Sequence, residues 1–186
     1  HTRSAHVSWV GDVYKRQPDA YSLKPFLAEH PKLFLLGAFT KLYAMAGLRL
    51  GWCFCSDRVL LDEMERSAQP WSVSTPAQEA GLAALSETEF VRRSRELVRT
   101  QREWLRRELT ALGMQVYGSH ANYMFFRSPV TDLGEMLKQD GILLRSCANY
   151  RALGPDYYRA AVRLPQENEA LIRAMRHCLG KGDNTP

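Results

Sequence analysis

The chain has 186 residues, of which 45% are hydrophobic and 24% charged. That is globular usage and excludes a disordered or fibrous chain. The net charge of +5, from 25 basic and 20 acidic residues, describes a mixed surface and argues only weakly for nucleic acid as a partner. No apolar run approaches the roughly 18–20 residues of a membrane helix, and the N-terminus lacks the charged, apolar, small-residue order of a secretory signal. The four cysteines, Cys53, Cys55, Cys147 and Cys178, match no zinc spacing. Free, buried thiols are the expectation for them, which favours a reducing, cytoplasmic setting.

Residues 1–17 show no sustained helical or strand period. They are set aside as a non-native or unstructured segment, since Val13-Tyr14-Lys15-Arg16-Gln17 reads as an assembly scar. From Pro18 the pattern is clearer. Ser22 to Glu29 predicts a short helix with Pro25 in its first turn, stopped by Pro31. Leu33-Phe34-Leu35-Leu36 is a continuous apolar run of the kind buried on both faces of a parallel α/β sheet. Arg49 to Cys55 predicts a second strand, with Ser56 as N-cap of a helix over Asp57 to Gln69. Ser74-Thr75-Pro76 opens another helix, rich in alanine and leucine through Leu85.

Ser86-Glu87-Thr88-Glu89 fits a capping box. The long helix it predicts runs to Leu112, with Phe90, Leu97, Trp104, Leu105 and Leu109 on its apolar stripe and Gly113 as C-cap. Seven arginines between Arg92 and Arg107 permit a nucleic-acid groove. Glu96, Glu103 and Glu108, at salt-bridge spacing, favour a solvated face. Beyond it the pattern alternates. Strands are expected at Met114–Tyr117, Asn122–Phe126, Ile142–Arg145 and Tyr157–Arg163, and helices at Asp132–Asp140 and Gln166–Leu179. This divides the chain into an α/β part over 18–85, a connecting helix over 86–112 and a small α+β domain over 113–182.

The segment Phe39-Thr40-Lys41-Leu42-Tyr43-Ala44-Met45-Ala46-Gly47-Leu48-Arg49-Leu50-Gly51 carries the chemistry. A lysine lies in a short link between two predicted strands, with an arginine eight residues on. A dry, strand-flanking site depresses an ammonium pKa and frees the amine as a nucleophile. Arginine stays charged and offers a planar fork that suits a phosphate. A nucleophilic amine beside a phosphate anchor is what pyridoxal phosphate requires. On chemistry alone, two ordinary surface residues are the stronger reading of the pair.

This segment resembles the Schiff-base lysine motif of the fold-type I, aspartate aminotransferase-like pyridoxal phosphate enzymes, with its G-x-R-x-G stretch. The resemblance implies Lys41 as the Schiff-base lysine and Arg49 as the phosphate-binding arginine, with Thr40 assisting. The family's serine three residues before the lysine is Ala38 here. That removes a charge-assisted hydrogen bond worth about 1.5–3 kcal/mol of cofactor binding. Gly141 to Tyr150 resembles a stretch of threonine-phosphate decarboxylases, close relatives of histidinol-phosphate aminotransferases. Tyr158-Arg159-Ala160-Ala161-Val162-Arg163 resembles the strand with the family's substrate-carboxylate arginine. Its register favours Arg159, with Arg163 as fallback, and Arg145 becomes the second substrate arginine. Asn122-Tyr123 also resembles family sequence and reads as structural.

The resemblance covers Pro18 to about Gly180 and corresponds to the C-terminal part of the family's chain. It implies a partial aspartate aminotransferase-like fold. The implied activity is decarboxylation of threonine phosphate to aminopropanol phosphate in cobalamin biosynthesis, with histidinol-phosphate-type amino transfer as the alternative. The substrate would be a small phosphorylated amino acid, and the intact parent a homodimer. As a fragment the chain is expected to bind the cofactor poorly and to aggregate, because its strands have exposed edges. Two readings lie outside enzymes: an aminotransferase-like sensor domain of a transcription regulator, and a nucleic-acid module built on the basic helix.

Overall fold

The structure, a computed structural model, describes residues 6–8 and 23–180. It divides into two compact units, with the boundary between Arg93 and Ser94. In the first unit, strands β1 (His6–Ser8), β2 (Leu33–Ala38) and β3 (Gly51–Phe54) form a sheet in that order. β1 pairs parallel to β2, His6 opposite Leu33. Part of the segment set aside from the sequence is therefore a sheet strand, while the scar-like run 13–17 lies outside the described residues.

Leu33, Phe34 and Leu35 are all buried, as an apolar run without alternation requires. The parallel arrangement expected of the neighbouring strand is not found: β3 runs antiparallel to β2, with Leu35 opposite Phe54 and Ala38 opposite Gly51. Burial on both faces does not fix direction. The connection over 39–50 holds only a 3₁₀ turn, Ala46–Leu48, and lacks the crossover helix a parallel return needs. The helix expected over Ser22–Glu29 is a single 3₁₀ turn, Lys24–Leu27, too tightly bracketed by Pro25 and Pro31 to propagate.

Helix α1 (Arg58–Ser67) is capped by Asp57, whose side chain accepts from Leu60 N at 3.1 Å. The expected cap, Ser56, donates to the Leu27 carbonyl instead. Helix α2 (Thr75–Ser86) begins as expected, with Ser74 Oγ accepting from Ala77 N and a proline in the first turn. The capping box at Ser86 does not form. Ser86 closes α2 and donates to Ala83 O, and Glu89 is paired with Arg92. Large apolar side chains remain exposed in this unit, among them Leu82, Leu85, Val59 and, at 97%, Trp71.

Helix α3 (Thr88–Ala111) carries the unit boundary. Its arginines are laced to glutamates at i, i+3 spacing, Arg92 to Glu89, Arg99 to Glu96 and Arg106 to Glu103, the solvated face that the spacing favours. Glu108 instead holds Arg176 at 2.6 Å. The helix ends where glycine permits it: Gly113 adopts φ +87° and Met114 N reaches back to Leu109 O.

The second unit is a four-stranded antiparallel sheet, order β4 (Gln115–Tyr117), β5 (Tyr123–Arg127), β7 (Tyr157–Ala161), β6 (Arg145–Ser146). Helices α4 (Leu133–Gln139) and α5 (Pro165–Cys178) pack on each other. Leu105, Leu109, Met124, Phe126, Leu133, Leu137, Ile172 and Met175 form the buried core, the inward positions of a period-2 strand and a 3.6-period helix. Residues 142–144 are not strand, and β7 stops at Ala161, so Arg163 lies beyond it. All four cysteines are free, but only Cys147 is buried. β3 ends at Phe54, which leaves Cys55 outside the strand expected to hold it.

Candidate active site

The link between β2 and β3 is held down by apolar anchors on both sides of its lysine. Phe39 and Leu42 are buried, Phe39 N donates to Leu50 O at 3.1 Å, and Tyr43 stacks between Phe39 and Phe90, at 5.4 Å and 6.2 Å. Lys41 lies between these anchors and is exposed, while Thr40 is half-buried. The dry environment expected of Lys41 is thus not what this chain provides. Its neighbours Phe39 and Leu42 take the interior positions and the lysine takes the outer one.

Arg49 caps the 3₁₀ turn in the left-handed region, φ 54° and ψ 37°, and does not start β3 as expected. A non-glycine residue there costs roughly 1–2 kcal/mol. Its Nη1 donates to Ala46 O at 3.0 Å, which orients the guanidinium and leaves most of its fork for another acceptor. Ala38 stands opposite Gly51 and has no side-chain donor. As a donor set, an amine, a hydroxyl and a guanidinium on one link fit an aldehyde and a phosphate. A cavity of about 680 Å³, lined by Leu23, Phe26, His30, Leu33 and Asp57 among others, is at the opposite end of β2.

In the second unit Arg145 and Arg159 are brought together: they are direct partners across β6 and β7. Like charges placed opposite one another destabilise a sheet by a fraction of a kcal/mol to about 1 kcal/mol, a cost that an anion bound by both relieves. Arg145 is exposed. The Arg159 guanidinium lies 3.7 Å over the Tyr123 ring, with Nη1 3.5 Å from the Tyr150 hydroxyl, and its buried Nε has no hydrogen-bond partner. Arg163 is engaged elsewhere, with Glu167 at 2.6 Å, and its N–H donates to the buried Asn168.

Tyr123 and Tyr150 are the residues that sequence reasoning missed as site components. Tyr123 faces Ala161 in register, which puts it diagonally beside Arg159. That neighbourhood follows from the pairing of strands far apart in sequence, which no local pattern reports.

The model of the aminotransferase class I and II family matches residues 10–175. The chain is 37% identical over 158 residues to threonine-phosphate decarboxylase of Salmonella typhimurium, covering 83% of this chain and 43% of that protein. It is 36% identical over 169 residues to histidinol-phosphate aminotransferase of Methanosarcina mazei, covering 89% and 45%. The fold matches the crystal structure of the histidinol-phosphate aminotransferase from Clostridium acetobutylicum with a TM-score of 0.87 at 22% identity, over 95% of this chain and 54% of that one. The chain thus spans about half the length of the curated relatives it matches, and its α/β architecture is that of part of an aminotransferase fold. Among the described residues no helix is long and apolar enough to cross a membrane. By its sequence over most of its length, this chain belongs to the class I and II aminotransferase family.

Proposed function

We propose that this chain carries the lysine-bearing part of a pyridoxal phosphate enzyme that acts on a small phosphorylated amino acid, and that the whole protein decarboxylates threonine phosphate. The observation that carries the reading is the β2–β3 link, where Lys41 lies between two buried anchors and Arg49 is fixed in a left-handed backbone with its guanidinium oriented by Ala46. Membership of a family that uses pyridoxal phosphate supports it. In this reading the first unit is the C-terminal portion of the cofactor-binding domain, α3 connects it, and the remainder is the small domain.

When bound, pyridoxal phosphate supplies a conjugated ring that takes up the electron pair of a bond broken at the substrate α-carbon. Lys41 Nζ would hold the cofactor's aldehyde carbon and would be the amine placed to return a proton to the substrate α-carbon. Arg49 would neutralise the cofactor's phosphate, with Thr40 as an additional hydroxyl donor. Arg159, braced by Tyr123 and Tyr150, takes the substrate carboxylate, and Arg145 assists with the second anionic group. Two guanidinium groups suit a doubly acidic amino acid better than a singly charged one.

Amino transfer to and from histidinol phosphate is the second reading, favoured by the comparable identity to the Methanosarcina mazei enzyme. The test uses the complete polypeptide that contains this sequence. Borohydride reduction in the presence of pyridoxal phosphate should place the label on Lys41, and Lys41→Ala should abolish it. Release of carbon dioxide from threonine phosphate selects the first activity. Amino transfer from histidinol phosphate to 2-oxoglutarate selects the second. A label on any other lysine overturns both.

A further inference from the structure

A second cluster of chemistry-bearing side chains lies where two helices of the second unit end. Asp140 is the C-cap of α4, and His177 and Cys178 are the last residues of α5. Asp140 Oδ2 is 3.7 Å from His177 Nδ1 and 3.9 Å from Cys178 Sγ, and one ligand atom from each of the three residues lies within 4.8 Å of the others.

Those separations are close to what a single tetrahedral ion imposes. With zinc–oxygen and zinc–nitrogen bonds of about 2.1 Å and a zinc–sulfur bond of about 2.3 Å, the ligand-to-ligand edges are about 3.4 Å and about 3.6 Å. The two edges from Asp140 need to close by only about 0.3 Å each, and the His177–Cys178 edge lies within 4.8 Å, gaps that rotation of the exposed Asp140 and His177 side chains and the half-buried Cys178 can close.

The electrostatic setting favours a cation. Both helices present their carbonyl ends here, the negative ends of their dipoles. The carboxylate adds a full charge. Two cations close by in sequence are paired elsewhere, Arg176 with Glu108 and Lys138 with Glu135. We propose that Asp140, His177 and Cys178 form a zinc-type divalent-cation site that ties the end of α4 to the end of α5, with water completing the coordination. The set of one carboxylate, one imidazole and one thiolate is borderline-soft, which selects zinc or cobalt over magnesium or calcium. Binding releases the thiol proton of Cys178 to solvent and leaves the ion's oxidation state unchanged.

The test is titration of the 186-residue chain with Co²⁺, read by absorbance. A cobalt–thiolate charge-transfer band together with tetrahedral ligand-field bands is expected, both removed stoichiometrically by Zn²⁺. Cys178→Ser should abolish the charge-transfer band, and His177→Ala or Asp140→Asn should weaken Co²⁺ binding by about tenfold or more, at least the loss typical of a supporting residue. Cys147→Ser and the Cys53→Ser/Cys55→Ser pair should leave the spectrum intact. All variants, that of the buried Cys147 included, are checked for unchanged circular dichroism. The proposal fails if no band appears, if the band survives Cys178→Ser, or if His177→Ala and Asp140→Asn bind as tightly as the parent, which would leave an ordinary surface thiol.

Discussion

Gly37→Ala tests whether the β2–β3 pairing is set by the contact between a glycine and the ring opposite it. Gly37 is the register partner of Trp52. A Cβ built on Gly37 falls 2.1 Å from Cζ2 and 2.3 Å from Cε2 of that indole, where carbon atoms prefer about 3.5–4.0 Å. The indole must therefore retreat by about 1.5 Å, against Phe54, whose ring centroid is 4.7 Å away. Trp52 is only half-buried, so the ring yields without breaking the strand, and the expected cost is that of ordinary overpacking, about 1–3 kcal/mol. Amide hydrogen exchange over residues 33–38 and 51–54 reads this locally, as exchange that is roughly five- to 150-fold faster. Gly47→Ala is the control. It has nothing within 4 Å of a built Cβ and should change exchange by less than about 0.5 kcal/mol. In a Trp52→Val background the same Gly37→Ala change should cost almost nothing, because the obstructing ring is gone. Equal costs in both backgrounds, or wild-type exchange in Gly37→Ala, would refute the steric argument.

Two further outcomes concern the second unit. Asn168 is fully buried and makes three hydrogen bonds to two neighbours: its side chain accepts from Arg163 N at 3.0 Å and donates to Arg163 O at 2.8 Å and to Gln101 Oε1 at 2.9 Å. Asn168→Ala should cost about 2–4 kcal/mol by stranding these groups, and Asn168→Asp at least as much, since a carboxylate would face two acceptors. Urea unfolding measures both, and an Asp variant as stable as the parent would refute the bonding pattern. The second concerns acid stability. The Arg127 guanidinium, hydrogen-bonded to Asp156, holds that carboxyl below its usual range. A depressed folded-state value means that its stabilisation is fully present above the unfolded value, about pH 4, and is lost as pH falls through the lower folded value. The difference in urea midpoint between the parent and Asp156→Asn should therefore stay constant from pH 7 to 5 and shrink below about pH 4. A decline already complete at pH 5 would contradict it.

The parts of the fold that local pattern reports were legible in the sequence. The burial of Leu33–Leu35, the Ser74 cap with Pro76 behind it, and the left-handed Gly113 each depend on neighbours within a few positions. What failed depended on partners elsewhere in the chain. Ser56 and Asp57 are adjacent and equally good caps, and the distant Leu27 carbonyl decides between them by taking the Ser56 hydroxyl. The direction of β3 follows from the absence of a crossover helix, which an apolar run does not reveal. The same distinction holds in the candidate site. Lys41 and Arg49 share one link and could be singled out together. The register that sets Arg145 opposite Arg159, and Tyr123 diagonal to it, needed the sheet.

Backbone strain alone does not mark the proposed anion sites. Ala44, Arg49, Trp71 and Ala152 all adopt positive φ without being glycine, and only Arg49 combines that backbone with a charged donor. In the first unit the left-handed conformation is accompanied by a guanidinium that its own turn only partly engages. In the second, two arginines stand opposite each other in register, and one of them retains a buried Nε without an acceptor. An acceptor with two or more oxygens would offset the cost of each arrangement, since every bond then formed is charge-assisted. A phosphate and a carboxylate are such acceptors. The ligand chemistry proposed from the lysine motif would thus engage the donors that both arrangements leave open.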